Sequence, residues 1–118
     1  MAFAYGAAIF LSASLFLFYG LLCLFSDGME AEFERFGLSR YRRLTGSLEV
    51  LGAVGLVVGI FVTEVILAAS AGLALLMVLG IITRIRVRDS FLETLPAGIL
   101  LLVNLFIFFY AWDMVRAL

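Results

Sequence analysis

Four long apolar stretches constrain this chain more than any other feature of its sequence. They cover residues 1–25, 44–62, 65–83 and 95–112, and each approaches or exceeds the roughly 18 residues expected of a membrane-spanning helix. Apolar residues make up 65% of the chain and charged residues only 14%, against about 25% in an average soluble domain. The sequence therefore predicts an all-α integral membrane protein, a four-helix bundle that forms a single domain over residues 1–118.

The second stretch contains the one charge that lies inside a predicted span. Residues 44–62 include eleven Leu, Ile, Val and Phe residues. Together these contribute roughly −3 to −6 kcal/mol to membrane insertion, whereas a charge at the helix centre costs roughly 2.5 to 3.5 kcal/mol. An intramembrane carboxylate is expected to have a countercharge, a proton or a function. We predict that Glu49 faces the interior and pairs with Arg84, or with Arg42 on its own helix.

Other polar residues are predicted to lie at a similar depth, because a helix rises by about 1.5 Å per residue. The predicted polar pocket, or ligand site, contains Thr45, Glu49, Thr83, Arg84, Asn104 and Arg42. Three interpretations of Glu49 remain open. It fixes the helix register by pairing, it forms a ligand or proton site, or its carboxylate extends to water.

Glycines in the second and third spans predict close helix packing. On a helical wheel Gly52, Gly55 and Gly59 fall on one flank beside Glu49, and Gly72 belongs to a third span rich in small residues. Small residues let neighbouring membrane helices approach closely. We therefore predict that these four glycines lie in helix contacts.

A short amphipathic segment follows the first span. Met29, Phe33 and Phe36 recur at helical spacing in an otherwise charged sequence, which is typical of a helix at the membrane interface. Gly37 is predicted to end this helix, and Ser39 is predicted to be the N-cap of the next one.

The ends of the later spans are predicted from length and turn chemistry. Residues 44–83 would make one helix about twice as long as the hydrocarbon core is thick, so a turn is predicted between Gly59 and Glu64. Thr94 is predicted to cap the fourth span, with Pro96 in its first turn.

The arginines predict the orientation in the membrane. Loops 26–43 and 84–94 carry seven of the eight arginines, and the chain contains no lysine. The positive-inside rule places both loops in the cytoplasm and both termini outside. The predicted location is a bacterial inner membrane.

Several kinds of chemistry are excluded by composition. The chain has no histidine and one cysteine, Cys23, so the usual metal-ligand sets and thiol relays are absent and no metal site is predicted. Cys23 is interpreted as a small buried apolar residue. The net charge of −1 gives no indication of nucleic-acid binding.

Five motifs together resemble those of the DoxX-like membrane proteins. They are Gly20-Leu21-Leu22, Phe36-Gly37-Leu38, the segment Gly46 to Leu56, Met77 to Gly80, and Thr83 to Asp89. The sharpest is Gly-x-x-Glu-x-x-Gly, in which Glu49 matches the second-helix glutamate of the family. The family often has lysine at the position of Cys23 and histidine at that of Arg84.

The resemblance implies a four-helix membrane bundle whose role differs between members. These roles include a small membrane subunit of a thiosulfate:quinone oxidoreductase, subunits of other membrane redox complexes, and an assembly chaperone of nicotinic receptors in animals. The resemblance therefore favours an accessory subunit.

The residues themselves favour a chain without catalytic activity of its own. We expect an accessory bundle that binds a membrane-protein partner, or an apolar molecule such as a quinone or a lipid, around Glu49. No cofactor is predicted, and the further contacts are the lipid bilayer and, as an alternative partner, a second copy. The alternatives are a small proton-coupled transporter that uses Glu49, and a membrane-protein assembly factor.

Overall fold

The computed structural model describes residues 2–117, and nearly all of them are helical. Its α-helices are α1 (Ala2–Phe25), α2 (Asp27–Phe36), α3 (Arg42–Val58), α4 (Thr63–Arg86) and α5 (Phe91–Arg116), with a 3-10 turn at Ser39–Tyr41. No strand occurs among the described residues, so the all-α prediction is confirmed. Residue 1 of the predicted first span lies outside the described part of the chain.

Three of the helices are long and apolar enough to cross a membrane. They are α1, α4 and α5, with 24, 24 and 26 residues. Helix α3 has 17 residues and is therefore only about 25 Å long, against about 30 Å for the hydrocarbon core. The chain is thus an integral membrane protein with three candidate spans, and the predicted four-span bundle is not confirmed.

The four longest helices are neighbours in a ring. Helix α1 packs against α3 and α5, and α4 packs against the same two helices, while α2 contacts α1 and α3. Phe16, Leu56, Leu73 and Ile107 are fully buried in the centre. Many large apolar side chains face outward instead, as expected of a surface in contact with lipid.

Two glycines of α3 and its C-cap residue, Gly59, lie directly against α4. A Cβ atom at Gly52, Gly55 or Gly59 would meet, in that order, Leu73 at 2.5 Å, Ala69 at 3.0 Å and the side chain of Ile66. Gly72 departs from the prediction, because a Cβ there would have nothing within 4 Å. Its position on α4 faces away from the neighbouring helices.

A second close contact joins α3 to α1. A Cβ at Gly46 would lie 2.9 Å from the backbone oxygen of Gly20, and a Cβ at Gly20 would lie 2.7 Å from Val50 Cγ2. Glycine at both positions therefore lets the two backbones approach. This contact fixes the depth at which Glu49, three residues after Gly46, meets α1.

The predicted turn between the second and third spans is confirmed. Helix α3 ends at Val58 and α4 begins at Thr63, with the Gly59 N–H still bonded to the Gly55 carbonyl at 2.8 Å. Gly59 packs against Ile66 across this turn.

The starts of two helices and the position of Pro96 differ from the prediction. Ser39 begins a 3-10 turn and α3 starts later, at Arg42, so Ser39 is not its N-cap. Helix α5 starts at Phe91, where the Ser90 hydroxyl accepts a hydrogen bond from the Glu93 N–H at 3.2 Å. Ser90 is therefore the cap in place of Thr94, and Pro96 lies in the second turn.

Helix α2 ends as predicted at Gly37, whose φ of 74° suits glycine. The Leu38 N–H bonds the Phe33 carbonyl at 2.9 Å, and the Gly37 N–H bonds the Glu34 carbonyl at 3.0 Å, which is a Schellman motif. Phe33 and Phe36 are buried against Cys23 of α1. The apolar stripe thus packs on the other helices, and the predicted interfacial position is not confirmed.

An ion-pair cluster at Asp89 ties α2 to the end of α4. Arg35 donates to both carboxylate oxygens of Asp89, at 2.7 and 3.0 Å, and Arg84 donates to one of them at 2.8 Å. The Asp89 side chain is 5% exposed. The hydrogen bonds from Arg35, with those from Arg84, lower the pKa of the Asp89 carboxyl to about 2. Both guanidiniums also lie over the Phe36 ring.

We expect Gly46→Ala to destabilise the protein, because the new methyl group meets the Gly20 backbone oxygen and Cys23 Cβ. The free energy of unfolding in detergent should fall by about 1–3 kcal/mol, as for other overpacked sites. Gly72→Ala is the matched control and should not lower the free energy of unfolding, because its new methyl group meets no atom and alanine favours a helix over glycine. Equal stability of the two variants would contradict the tight α1–α3 contact.

We expect Asp89→Asn to release α2, because it removes the carboxylate shared by Arg35 and Arg84. Hydrogen exchange of the α2 amides should become faster, whereas the exposed pair Arg116–Asp113 provides the control variant Asp113→Asn. Unchanged exchange in Asp89→Asn would show that the Asp89 ion pairs do not hold α2 in place.

Acid should weaken the same contact in the unmodified protein. The Asp89 carboxyl has a pKa of about 2 in the folded state and about 3.9 when unpaired. Its stabilising effect is therefore complete above about pH 4 and is lost as the pH falls towards 2. A fluorescent label on exposed Ala31→Cys, in a Cys23→Ala background, should gain mobility only over that interval.

Candidate functional site

A cavity of about 580 Å³ extends from Glu49 to the end of the molecule where α2 lies. Side chains from all five helices line it, and most of them are apolar. The lining includes Phe16, Tyr19 and Cys23 of α1, Met29, Phe33 and Phe36 of α2, Leu44, Thr45, Leu48 and Glu49 of α3, Leu76, Met77, Leu79, Gly80, Ile82, Thr83, Arg84 and Arg86 of α4, and Glu93, Pro96, Ala97 and Leu100 of α5.

The cavity occupies the space between α3 and α4 beyond their glycine contacts. At Gly52 the side chain of Leu73 fills the gap, whereas a Cβ at Gly80, farther along α4, would have nothing within 4 Å. Helix α2 covers one end with Phe33 and Phe36. Between α3 and α4, the part nearest the connecting turn is therefore closely packed, and the cavity lies in the part farther from it.

Glu49 is the only carboxylate of this lining that is buried, with a relative exposure of 6%. The Cys23 thiol donates to its Oε1 at 3.8 Å. No other side-chain hydrogen bond or ion pair reaches Glu49 within residues 2–117. Because a thiol is a weak donor, the carboxyl group keeps most of its hydrogen-bonding capacity for a molecule in the cavity.

The predicted ion pair of Glu49 is wrong for both arginines. Arg84 binds Asp89, which follows it by five residues and meets it outside the span, where pairing costs less desolvation. Arg42 donates to the carbonyls of Cys23 at 2.6 Å and Leu24 at 3.0 Å. These carbonyls lie at the C-terminus of α1, where backbone acceptors lack helical partners.

The remaining predicted site residues separate into two groups. Thr45 and Thr83 line the cavity together with Glu49 and Arg84, whereas Arg42 and Asn104 do not. Asn104 accepts a hydrogen bond from the Ser12 hydroxyl at 3.1 Å and donates to the Leu100 carbonyl at 2.8 Å. Its amide is thus satisfied inside the α1–α5 contact.

Three residues important to the cavity were missed in the sequence. The sequence suggests only a small buried apolar residue at Cys23, yet its thiol is the hydrogen-bond partner of Glu49. Its spacing from the buried Phe16 and Gly20 would have placed it on the inner face of α1. Arg86 and Asp89 lie in a segment in which charged and apolar residues alternate. No pattern in that segment shows that Arg84 pairs with Asp89 and that Arg86 does not.

The cavity opens sideways between α3 and α4. Its lining includes Leu44 and Leu48 of α3 and Leu79 and Ile82 of α4, which are 40% to 56% exposed. Exposed apolar side chains on a membrane helix face lipid. Exposed apolar side chains of both helices therefore border the cavity on this side.

A second cavity of about 580 Å³ lies near the α3–α4 turn, between α1 and α3. Its lining carries no charged residue. Within residues 2–117, no group of three or more His, Cys, Asp or Glu residues could hold a metal ion. The cavity beside Glu49 is therefore the candidate site, and its chemistry suits binding of an apolar molecule with a polar group.

Comparison with known proteins points to a family. A model of the DoxX-like family matches residues 4–107, which include Glu49 and every residue of the cavity lining named above. No curated protein and no solved structure matched the chain. The chain belongs to the DoxX-like family.

Proposed function

We propose that this protein is an accessory membrane subunit that binds a membrane-dissolved molecule, a quinone or a lipid, in the cavity beside Glu49. One observation carries the proposal. A buried carboxyl group, bonded only to a thiol among the described residues, lies in the wall of an otherwise apolar cavity. Such groups within membrane helices mark ligand and proton sites.

The size and lining of the cavity support this function. Its volume of about 580 Å³ falls within the roughly 300–1,000 Å³ of small-molecule sites. Those sites combine apolar walls with a few polar groups that fix orientation. Here the apolar walls come from all five helices, and Glu49 supplies the polar contact at the inner end.

The proposal includes a fourth membrane crossing by α3. The exposed apolar residues Ile60, Phe61 and Val62 extend the apolar length of α3 beyond its last helical residue. Four crossings would bring α2 and the α4–α5 loop to the same membrane face, in agreement with the Arg35–Asp89 pair. The positive-inside rule makes that face cytoplasmic, with α2 at the interface and both termini outside.

The accessory role rests on the same features. A quinone or lipid bound here would be held beside α3 and α4, whose outer faces are apolar and open to a partner in the bilayer. Electron transfer would then belong to that membrane-protein partner. A second copy of this chain is the alternative partner.

Proton-coupled transport by Glu49 is the second candidate function. It is favoured by the lack of an arginine partner for Glu49 among the described residues, since an ion pair would hold the carboxylate in one charge state. Proton uptake by proteoliposomes that disappears in Glu49→Gln would establish this function in place of simple binding.

We expect Glu49→Gln to weaken binding of a short-chain ubiquinone analogue or of a phospholipid by about tenfold, the effect of losing one charged hydrogen bond. Native mass spectrometry in mild detergent measures both ligands. Glu64→Gln, at an exposed carboxylate of α4, is the control and should bind normally.

A second variant separates loss of binding from loss of folding. Gly80→Trp should fill the cavity from a position with open space and abolish binding while the thermal stability is kept. Normal binding of both ligands in Gly80→Trp would contradict the proposed site.

We expect four crossings to place Ser39 and Glu64 on opposite membrane faces. In a Cys23→Ala background, a membrane-impermeant maleimide should label Glu64→Cys in intact cells and Ser39→Cys only after permeabilisation. Both positions are exposed, so the labelling reports the side of the membrane. Labelling of both from the same face would show that α3 does not cross.

A further inference from the structure

The outer end of the cavity carries two arginines that differ in their partners. Arg84 is bound by the Asp89 carboxylate at 2.8 Å. Arg86 donates to the Phe36 carbonyl at 2.6 Å, and within residues 2–117 it has no carboxylate partner within 4 Å. Arg86 therefore supplies a positive charge at the mouth of the cavity that the protein itself leaves uncompensated.

The same end of the cavity carries one carboxylate that also lacks an ion-pair partner. Glu93 lines the cavity on the first turn of α5, is exposed, and forms no ion pair within the described residues. Its neighbour Asp89, by contrast, binds Arg35 and Arg84. Of the charged residues that line this end of the cavity, Arg86 and Glu93 are thus the two without an ion-pair partner among the described residues.

Arg86 and Glu93 necessarily lie at the same end of the molecule. Arg86 is the last residue of α4 and Glu93 is the third residue of α5, and the loop between them is short. Both residues border a cavity whose walls farther in are apolar. The cavity therefore has one positive and one negative side chain at its mouth, and apart from Glu49 its walls farther in are mostly apolar.

We propose that the cavity binds a zwitterionic phospholipid with a primary ammonium group. Its phosphate lies against Arg86, its ammonium lies against Glu93, and an acyl chain follows the apolar walls and leaves between α3 and α4. This inference rests on the proposed function, because it names the ligand class of the same cavity. A guanidinium binds phosphate oxygens through two parallel hydrogen bonds, and a primary ammonium donates hydrogen bonds to a carboxylate.

The charges also discriminate against other membrane molecules. An anionic phospholipid would satisfy Arg86 but would place no cation beside Glu93. A neutral quinone would leave both charges unused, although it would still fit the apolar walls and Glu49. Arg86 and Glu93 at the mouth therefore favour a headgroup that carries both charges. The apolar interior favours a molecule with a long hydrocarbon chain.

The test compares phosphatidylethanolamine with phosphatidylglycerol by native mass spectrometry of the full chain in mild detergent. The unmodified protein should prefer phosphatidylethanolamine. Arg86→Gln should weaken its binding by about five- to tenfold, as for loss of a charged hydrogen bond at an exposed site. Arg43→Gln, at an exposed arginine outside the cavity lining, should bind normally.

Glu93→Gln provides the sharper measurement, because its two effects have opposite signs. Binding of phosphatidylethanolamine should fall by about two- to fivefold, while binding of phosphatidylglycerol should rise. Glycerophosphoethanolamine, which has the headgroup without acyl chains, should not compete, because the chain supplies the apolar contacts. Competition by this soluble headgroup would show that a free phosphate ester is the ligand.

The outcomes separate this inference from the proposed function. Equal binding of both lipids, unchanged in Arg86→Gln and Glu93→Gln but abolished by Gly80→Trp, would overturn the headgroup assignment and leave the cavity as a ligand site. Binding that persists in Gly80→Trp would overturn both. A preference for phosphatidylethanolamine that is lost in Glu93→Gln would support both.

Discussion

The glycine contacts of α3 determine both the packing of this protein and the space that remains inside it. Gly46 brings α3 against α1, and Gly52 and Gly59 bring it against α4. Each contact lets two helices approach closely, which favours van der Waals packing between helices in lipid. Farther from the turn, the gap between α3 and α4 widens into the cavity that Glu49 lines.

The charged residues of the cavity are concentrated at one end. The ring of helices contains one buried acid, Glu49, held by a thiol, whereas the other charges of the cavity lie at the end covered by α2. Asp89 joins Arg35 of α2 and Arg84 of α4 there. The residues that border the cavity on the outer faces of α3 and α4 are apolar.

Hydropathy and small-residue spacing predicted the membrane character, the all-helical fold, the turn after Gly59 and the cap at Gly37, because each depends on local sequence. Other features depend on which side chains meet in three dimensions, and these were missed. Counting residues along the predicted helices places Arg84 near the membrane depth of Glu49, which suggests an ion pair. In the structure Arg84 pairs with Asp89 instead, outside the span, where pairing requires less desolvation. Asn104 of α5 is buried against Ser12 of α1. Hydropathy does not show which face of α5 points into the bundle, because that helix is apolar on all sides.

We infer that the space beside Glu49 holds a molecule from the membrane. An experimental structure of the protein, purified from its native membrane and kept in lipid nanodiscs, tests this directly. We expect elongated density between α3 and α4, with a polar atom within hydrogen-bonding distance of the Glu49 carboxyl group. A structure in which α3 and α4 close over this space and Glu49 is paired with a protein side chain other than Cys23 would contradict the account.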